Sequence, residues 1–207
     1  MGPLNETRWV ISDITPSTTH LENNPKLDVY YPPYGRSNVP ILFFVYGGEF
    51  VTGSRDLFPG LVFENIGAFF AKRGILTIIA DYRLAPEATY PSPVKDIRDA
   101  IRFTLTSSDV NVIGSGADMS RIYIFGHSAG GAHVSTLFLD EDILTEQDRS
   151  LISGAIILSG MYGSAPHLTT YYGEPPEEID RKCPLGLLNS HSAKKVNSNY
   201  THIVTGS

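Results

Sequence analysis

The chain has 207 residues, of which 42% are hydrophobic and 18% charged, so it carries enough apolar material for one sizeable core. Sixteen basic against twenty-two acidic residues give a net charge of −6, which argues against nucleic acid or an anionic membrane as the main partner. Cys183 is the sole cysteine, which excludes an internal disulfide framework and a cysteine-based zinc site.

Met1–Trp9 lacks a basic stretch followed by an apolar run, and no apolar segment approaches the ~20 residues that span a bilayer. A cytoplasmic setting is therefore the expectation. No repeat or low-complexity tract divides the chain, and it reads as a single domain over residues 1–207.

Short apolar runs alternate with helix-like stretches, the pattern of an α/β sheet with mostly parallel strands. Trp9–Ile14 and Leu27–Tyr31, separated by the turn-rich Asn23-Asn24-Pro25, read as a hairpin at a sheet edge. Ile41–Tyr46 is a continuous aromatic and β-branched run, as expected of a strand covered on both faces, and it empties into Gly47-Gly48. Val62–Lys72 places Val62, Ile66, Phe69 and Phe70 at helical spacing, and Gly74 offers a stop before the buried strand Ile75–Ala80. Pro93 suits the first turn of a second helix, whose apolar stripe is Val94, Ile97, Ile101 and Leu105 and whose other positions, Asp96 among them, read as surface. Arg121–Phe125, Gly154–Leu158 and Tyr200–Thr205 read as strands and Ala129–Leu139 as a helix, with right-handed crossovers. The segment around Tyr162–Leu188 has no legible geometry.

The strand ending at Phe125 runs directly into Gly126-His127-Ser128-Ala129-Gly130-Gly131, a G-x-S-x-G motif in strand–turn–helix context. A bare match elsewhere would read as an ordinary glycine-rich turn. Here the serine falls on a sharp reversal that lifts its hydroxyl above the sheet, with glycines leaving room for strand and helix to approach. The candidate nucleophile is Ser128. The backbone N–H of Ala129, at the start of the new helix, and those of Gly47 and Gly48 are candidate donors for an oxyanion hole.

Four stretches together resemble the hormone-sensitive-lipase-like branch of the α/β-hydrolases, whose members are carboxylesterases. They are Leu27–Pro32, the loop Tyr46-Gly47-Gly48-Glu49-Phe50 against H-G-G-G-F, Asp81–Glu87 against D-Y-R-L-A-P-E, and the elbow Gly126–Gly131. The resemblance implies an α/β-hydrolase fold and a serine ester hydrolase acting on a small-molecule ester through an acyl-enzyme on Ser128, with no metal and no cofactor. Tyr46 replaces the usual histidine, a tolerable change, and His127 an aspartate. Glu49 replaces the third glycine; pointing inward it would oppose an oxyanion, whereas a solvated side chain is the ordinary outcome. Asp81, Arg83 and Glu87 are expected to form structural ion pairs at the end of their strand.

The resemblance also implies a triad acid and histidine after Ser128, and it aligns Tyr200–Ser207 with the family's next-to-last strand. On that alignment both groups, with the last strand and helix, would lie beyond Ser207, so the chain is expected to be an incomplete domain that is weak or inactive alone. His127, His133 and His202 are poorly placed to substitute, and His167 and His191, in loop or cap-like segments whose position is not legible, read as surface histidines with no acid partner at recognisable spacing. An uncovered sheet edge predicts poor stability or association, self-association included. A non-catalytic pseudo-hydrolase or a small acyl-ligand binding protein is the alternative, and a peptidase or amidase on the same scaffold is not separable by sequence.

Overall fold

A computed structural model describes residues 8–11, 26–33, 36–58, 62–106, 114–173 and 175–191. Among these residues six strands form one sheet: β1 (Arg8–Ile11), β2 (Leu27–Tyr30), β3 (Val39–Val45), β4 (Leu76–Ala80), β5 (Ala117–His127) and β6 (Ile152–Leu158). Their order is β1-β2-β4-β3-β5-β6, with β1 and β2 antiparallel at one edge and β4, β3, β5 and β6 parallel to one another. The edge hairpin, the parallel strands and the α/β class stand as the sequence predicts. The strand read at Tyr200–Thr205, with His202, lies outside the described residues.

The apolar runs become the central strands because both faces are covered. Ile41–Val45 on β3, Leu76–Ile79 on β4 and Ile122 and Ile124 on β5 are all buried. Helices α1 (Phe63–Lys72), α2 (Ser92–Thr106) and α3 (Ala129–Leu139) supply the crossovers.

The face that α1 buries is not the predicted one. Phe63, Gly67, Ala68 and Ala71 are its buried residues, while Phe69 is 49% exposed. Small residues win because the helix lies directly on a ring: a Cβ at Gly67 would stand 2.5 Å from Tyr30. The predicted stripe Val62, Ile66, Phe69 and Phe70 instead lines an apolar cleft of about 580 Å³ with Phe44, Phe125, His127 and Leu158. On α2, Asp96 is buried rather than on the surface, because both its oxygens are occupied by Arg83.

Beyond α3 the chain forms α4 (Glu146–Leu151), β6, a 3₁₀ turn at Pro166–Leu168, and then α5 (Thr169–Tyr172), α6 (Pro176–Lys182) and α7 (Pro184–His191). Among the described residues β6 pairs with β5 alone, and its Ile156 and Leu158 are 40% and 37% exposed. No helix among those residues is long and apolar enough to cross a membrane.

Helix α4 starts on a capping box: Thr145 Oγ1 accepts from the Asp148 N–H at 3.2 Å, and Asp148 Oδ2 accepts from the Thr145 N–H at 3.1 Å. Arg102 donates to the same carboxylate through Nη2 at 2.5 Å and Nε at 3.1 Å. The Arg102 bonds, aided by Thr145, lower the Asp148 pKa from 3.8 to about 2. A carboxyl depressed on folding contributes stability above its unfolded pKa and loses it as pH falls through the folded one. The Asp148 contribution should therefore be complete above about pH 4 and vanish near pH 2. Asp148→Asn is expected to lower stability at pH 7 by ~1 kcal/mol, a deficit that shrinks between pH 4 and 2 in urea titrations; an unchanged deficit across that range would contradict the assignment.

Candidate active site

Backbone conformation marks the site first. Ser128, between the last residue of β5 and the first of α3, has φ 55° and ψ −123°, a region that L-residues avoid. Three bonds hold it there. Its N–H donates to the Leu158 carbonyl at 2.9 Å, tying the reversal to the end of β6, and its carbonyl accepts from Gly131 and Ala132 as α3 begins.

Glycines allow that approach. A Cβ at Gly126 would stand 2.5 Å from the Gly130 carbonyl oxygen, and one at Gly130 would stand 2.1 Å from the Val45 carbonyl oxygen. The helix therefore starts in contact with the end of β3. The N–H groups of Ala129 and Gly130, first in α3, have no intrahelical acceptor and contribute the positive end of the helix dipole.

Gly47 is brought against Ser128: a Cβ on Gly47 would fall 2.6 Å from Ser128 Cβ and 3.2 Å from its Oγ. Gly48 has φ 150°, and its carbonyl accepts from the N–H groups of Val51 and Thr52 and from Thr52 Oγ1, so the loop folds back at once. Glu49 and Phe50, at φ 53° and 68°, complete this strained turn. Their side chains part company: Glu49 is exposed, the ordinary outcome for a carboxylate, and Phe50 is buried.

Tyr46 and Arg55 pin the two ends of the loop. Tyr46 lies between the rings of Phe63 and Tyr82, stacked at 5.1 Å and 4.7 Å, and its hydroxyl donates to Asp81 Oδ1 at 3.0 Å. Burial, and then the Asp81 charge, push its pKa well above the ordinary tyrosine value, so it stays neutral. Arg55 donates from its backbone N–H and Nη1 to Asp81 and from Nε to the fully buried Asp28 at 3.2 Å. With Asp56 Oδ2 at 3.8 Å from Nη1 as well, three carboxylates around one guanidinium satisfy a charge that burial alone would penalise. Sequence reasoning does not single out Arg55, since nothing at its position forms a motif.

Asp81 and Arg83 form structural ion pairs as expected, with Arg55 and Asp96. Glu87 does not: it is exposed and has no ion pair among the described residues, because its turn projects it into solvent. A second apolar cluster, Phe50, Ala85, Ala129, Ala132, Leu168, Tyr171, Tyr172, Ile179 and Cys183, seats the helices after β6 against the start of α3 and the glycine loop. It is the part of the site that the sequence leaves unread.

No side chain among the described residues hydrogen-bonds Ser128 Oγ. His127 is exposed and lines the cleft beside α1, His167 is exposed in the 3₁₀ turn, and His133 is buried with Nδ1 on Tyr171 Oη at 3.2 Å. Burial lowers the His133 pKa to about 3. No cluster of potential metal ligands occurs among the described residues.

The family model BD-FAE matches residues 27–150, which contain the glycine loop, the Asp81–Glu87 segment and the elbow. The chain belongs to the BD-FAE family. Its mostly parallel sheet flanked by helices is the α/β-hydrolase fold, and the match to this family, with the relatives below, supports the resemblance to the hormone-sensitive-lipase-like branch. It is 30% identical over 150 residues to a kynurenine formamidase of Danio rerio, an alignment covering 72% of this chain and 46% of that protein. With the carboxylesterase NlhH of Mycobacterium tuberculosis it shares 36% over 104 residues, 50% of this chain and 30% of that one. The chain thus spans about half the length of the first of these relatives, and less of the second. In fold it is similar to EstE1, a thermostable carboxylesterase from a metagenomic library, with TM-score 0.69 and 18% identity over 99% of this chain and 79% of that one.

Proposed function

We propose that this BD-FAE chain carries the nucleophile and oxyanion half of a serine hydrolase for small carboxylic esters. The observation that supports it most is the strained Ser128 with its Oγ beside Gly47. Ser128 Oγ attacks the ester carbonyl carbon while its proton passes to a base; the tetrahedral oxyanion is held by the N–H groups of Gly47, Gly48 and Ala129. The C–O bond to the leaving alcohol then breaks, that alcohol takes the proton, and water repeats the sequence on the acyl-enzyme.

Among the described residues no acid or base is hydrogen-bonded to Ser128 Oγ, so proton transfer limits the described site. Removal of a triad lowers turnover by about 10⁶-fold. The 207-residue chain alone is therefore expected to show no Ser128-dependent hydrolysis of a short-chain p-nitrophenyl ester, and to gain it when imidazole is supplied as an external base. Turnover without imidazole that is lost in Ser128→Ala would show that an internal histidine serves. Imidazole-independent silence in both forms, with no gain over the imidazole background, would favour a non-catalytic acyl-binding protein. The likeness to proteins named formamidases supports a second reading, hydrolysis of a small amide, and a formanilide run beside the ester decides between them.

A further inference from the structure

His133 lies on α3 five positions past Ser128, 1% exposed, inside a box of three aromatic rings. Phe50 meets it edge-to-face at 5.1 Å between centroids, Tyr82 at 4.7 Å and Tyr171 at 5.4 Å. Each wall comes from a different part of the site. Phe50 follows the glycine pair, Tyr82 follows β4, and Tyr171 belongs to α5; Phe50 and Tyr171 are themselves stacked at 4.2 Å. Tyr171 Oη stands 3.2 Å from Nδ1, while Nε2 has no hydrogen-bond partner among the described residues.

Stability alone does not account for a histidine here. Leucine here with phenylalanine at 171 would fill the same space with no buried polar atom, whereas the pair present leaves one ring nitrogen unpaired, whose desolvation costs ~1–3 kcal/mol. The tautomer follows from the same cost. With Tyr171 donating to Nδ1, the ring proton sits on Nε2, where aromatic faces can act as weak acceptors; a bare lone pair there would have none.

The walls of the box continue into the candidate oxyanion loop. The Tyr82 hydroxyl donates to the Tyr46 carbonyl at 2.8 Å, one residue before Gly47. The Phe50 carbonyl accepts from the Ala85 N–H at 2.9 Å, and the Tyr171 carbonyl from the Tyr90 N–H at 2.8 Å. Of these bonds, the one from Tyr82 reaches the residue next to Gly47.

We propose that His133 is a positioning residue: it accepts the Tyr171 hydroxyl on Nδ1 and thereby clamps α5 and Phe50 together, fixing the loop that carries Gly47 and Gly48. Its catalytic consequence rests on the reading of Ser128 given above; the clamp itself does not.

His133→Leu, His133→Asn and Tyr171→Phe test it, since Asn Oδ1 stands where Nδ1 does and can accept the same hydroxyl. Amide hydrogen exchange at Val51 and Thr52, whose N–H groups donate to Gly48, is expected to quicken about fivefold to tenfold in the Leu and Phe variants, the equivalent of one lost hydrogen bond. The Asn variant should stay within about twofold of the parent, and Leu combined with Phe should add little to either. The melting temperature of His133→Leu combined with Tyr171→Phe, which removes both polar groups, should not fall, and ¹⁵N spectra of the parent should show the Nε2–H tautomer. In the imidazole-supplied ester assay, the Leu variant should lose kcat with KM nearly unchanged. A lower melting temperature in the Leu variant with loop exchange unaltered, or equal exchange in the Leu and Asn variants, would overturn the clamp. If the parent gives no Ser128-dependent turnover, the exchange result still decides it.

Discussion

Gly130→Ala is expected to destabilise the protein by ~3 kcal/mol or more, at the upper end of what overpacking produces. The methyl group would stand 2.1 Å from the Val45 carbonyl oxygen, 2.5 Å from that of Tyr46 and 2.7 Å from the Val45 carbonyl carbon. All three are backbone atoms at the end of β3, so no side-chain rotation relieves the contact. Either α3 lifts away from the sheet or β3 yields, and both movements separate Ser128 from Gly47. Domain stabilities are about 5–15 kcal/mol, so the variant should melt far lower or fail to fold. Gly154→Ala is the control: its Cβ would meet only the Tyr123 ring, at 3.5 Å, an ordinary contact. Thermal unfolding of the two variants beside the parent measures the difference, and similar melting temperatures would contradict the close packing of α3 on β3.

Ser128 carries the larger functional effect and an opposite effect on stability. Ser128→Ala should abolish the imidazole-supplied esterase reaction, since it removes the hydroxyl that stands beside Gly47. Alanine keeps a Cβ at φ 55° and ψ −123°, so it keeps most of the strain; glycine accepts that conformation freely. Ser128→Gly should therefore be inactive yet more stable than Ser128→Ala by ~1 kcal/mol. Equal stability of the two would show that the backbone at this position is not strained in solution.

The sharp turn at Ser128, the glycine loop and the parallel strands were legible because each rests on local chemistry. Ile122–Phe125 is apolar and β-branched or aromatic, and the glycines at 126, 130 and 131 admit few other uses beside a serine. The face of α1 was not legible. Its large apolar residues suggested one stripe, but contact with Tyr30 selects for the smallest side chains, and that contact joins residues far apart in sequence. Asp96 misled for the same reason, as its partner Arg83 reaches it only once the turn after β4 has formed. The helices between Pro166 and His191 escaped because they are short and their shared core with Phe50 and Ala129 is tertiary. The setting of His133 among three rings is visible only in the folded chain.

The direct test of the account is covalent. The protein is treated with a fluorophosphonate in the presence of imidazole, and the site of phosphonylation is located by peptide mass spectrometry. One adduct on Ser128, absent from Ser128→Ala and strongly slowed in Gly47→Ala, is the predicted result; an adduct on another residue, or a Ser128 that stays unmodified while the protein is folded, would contradict it.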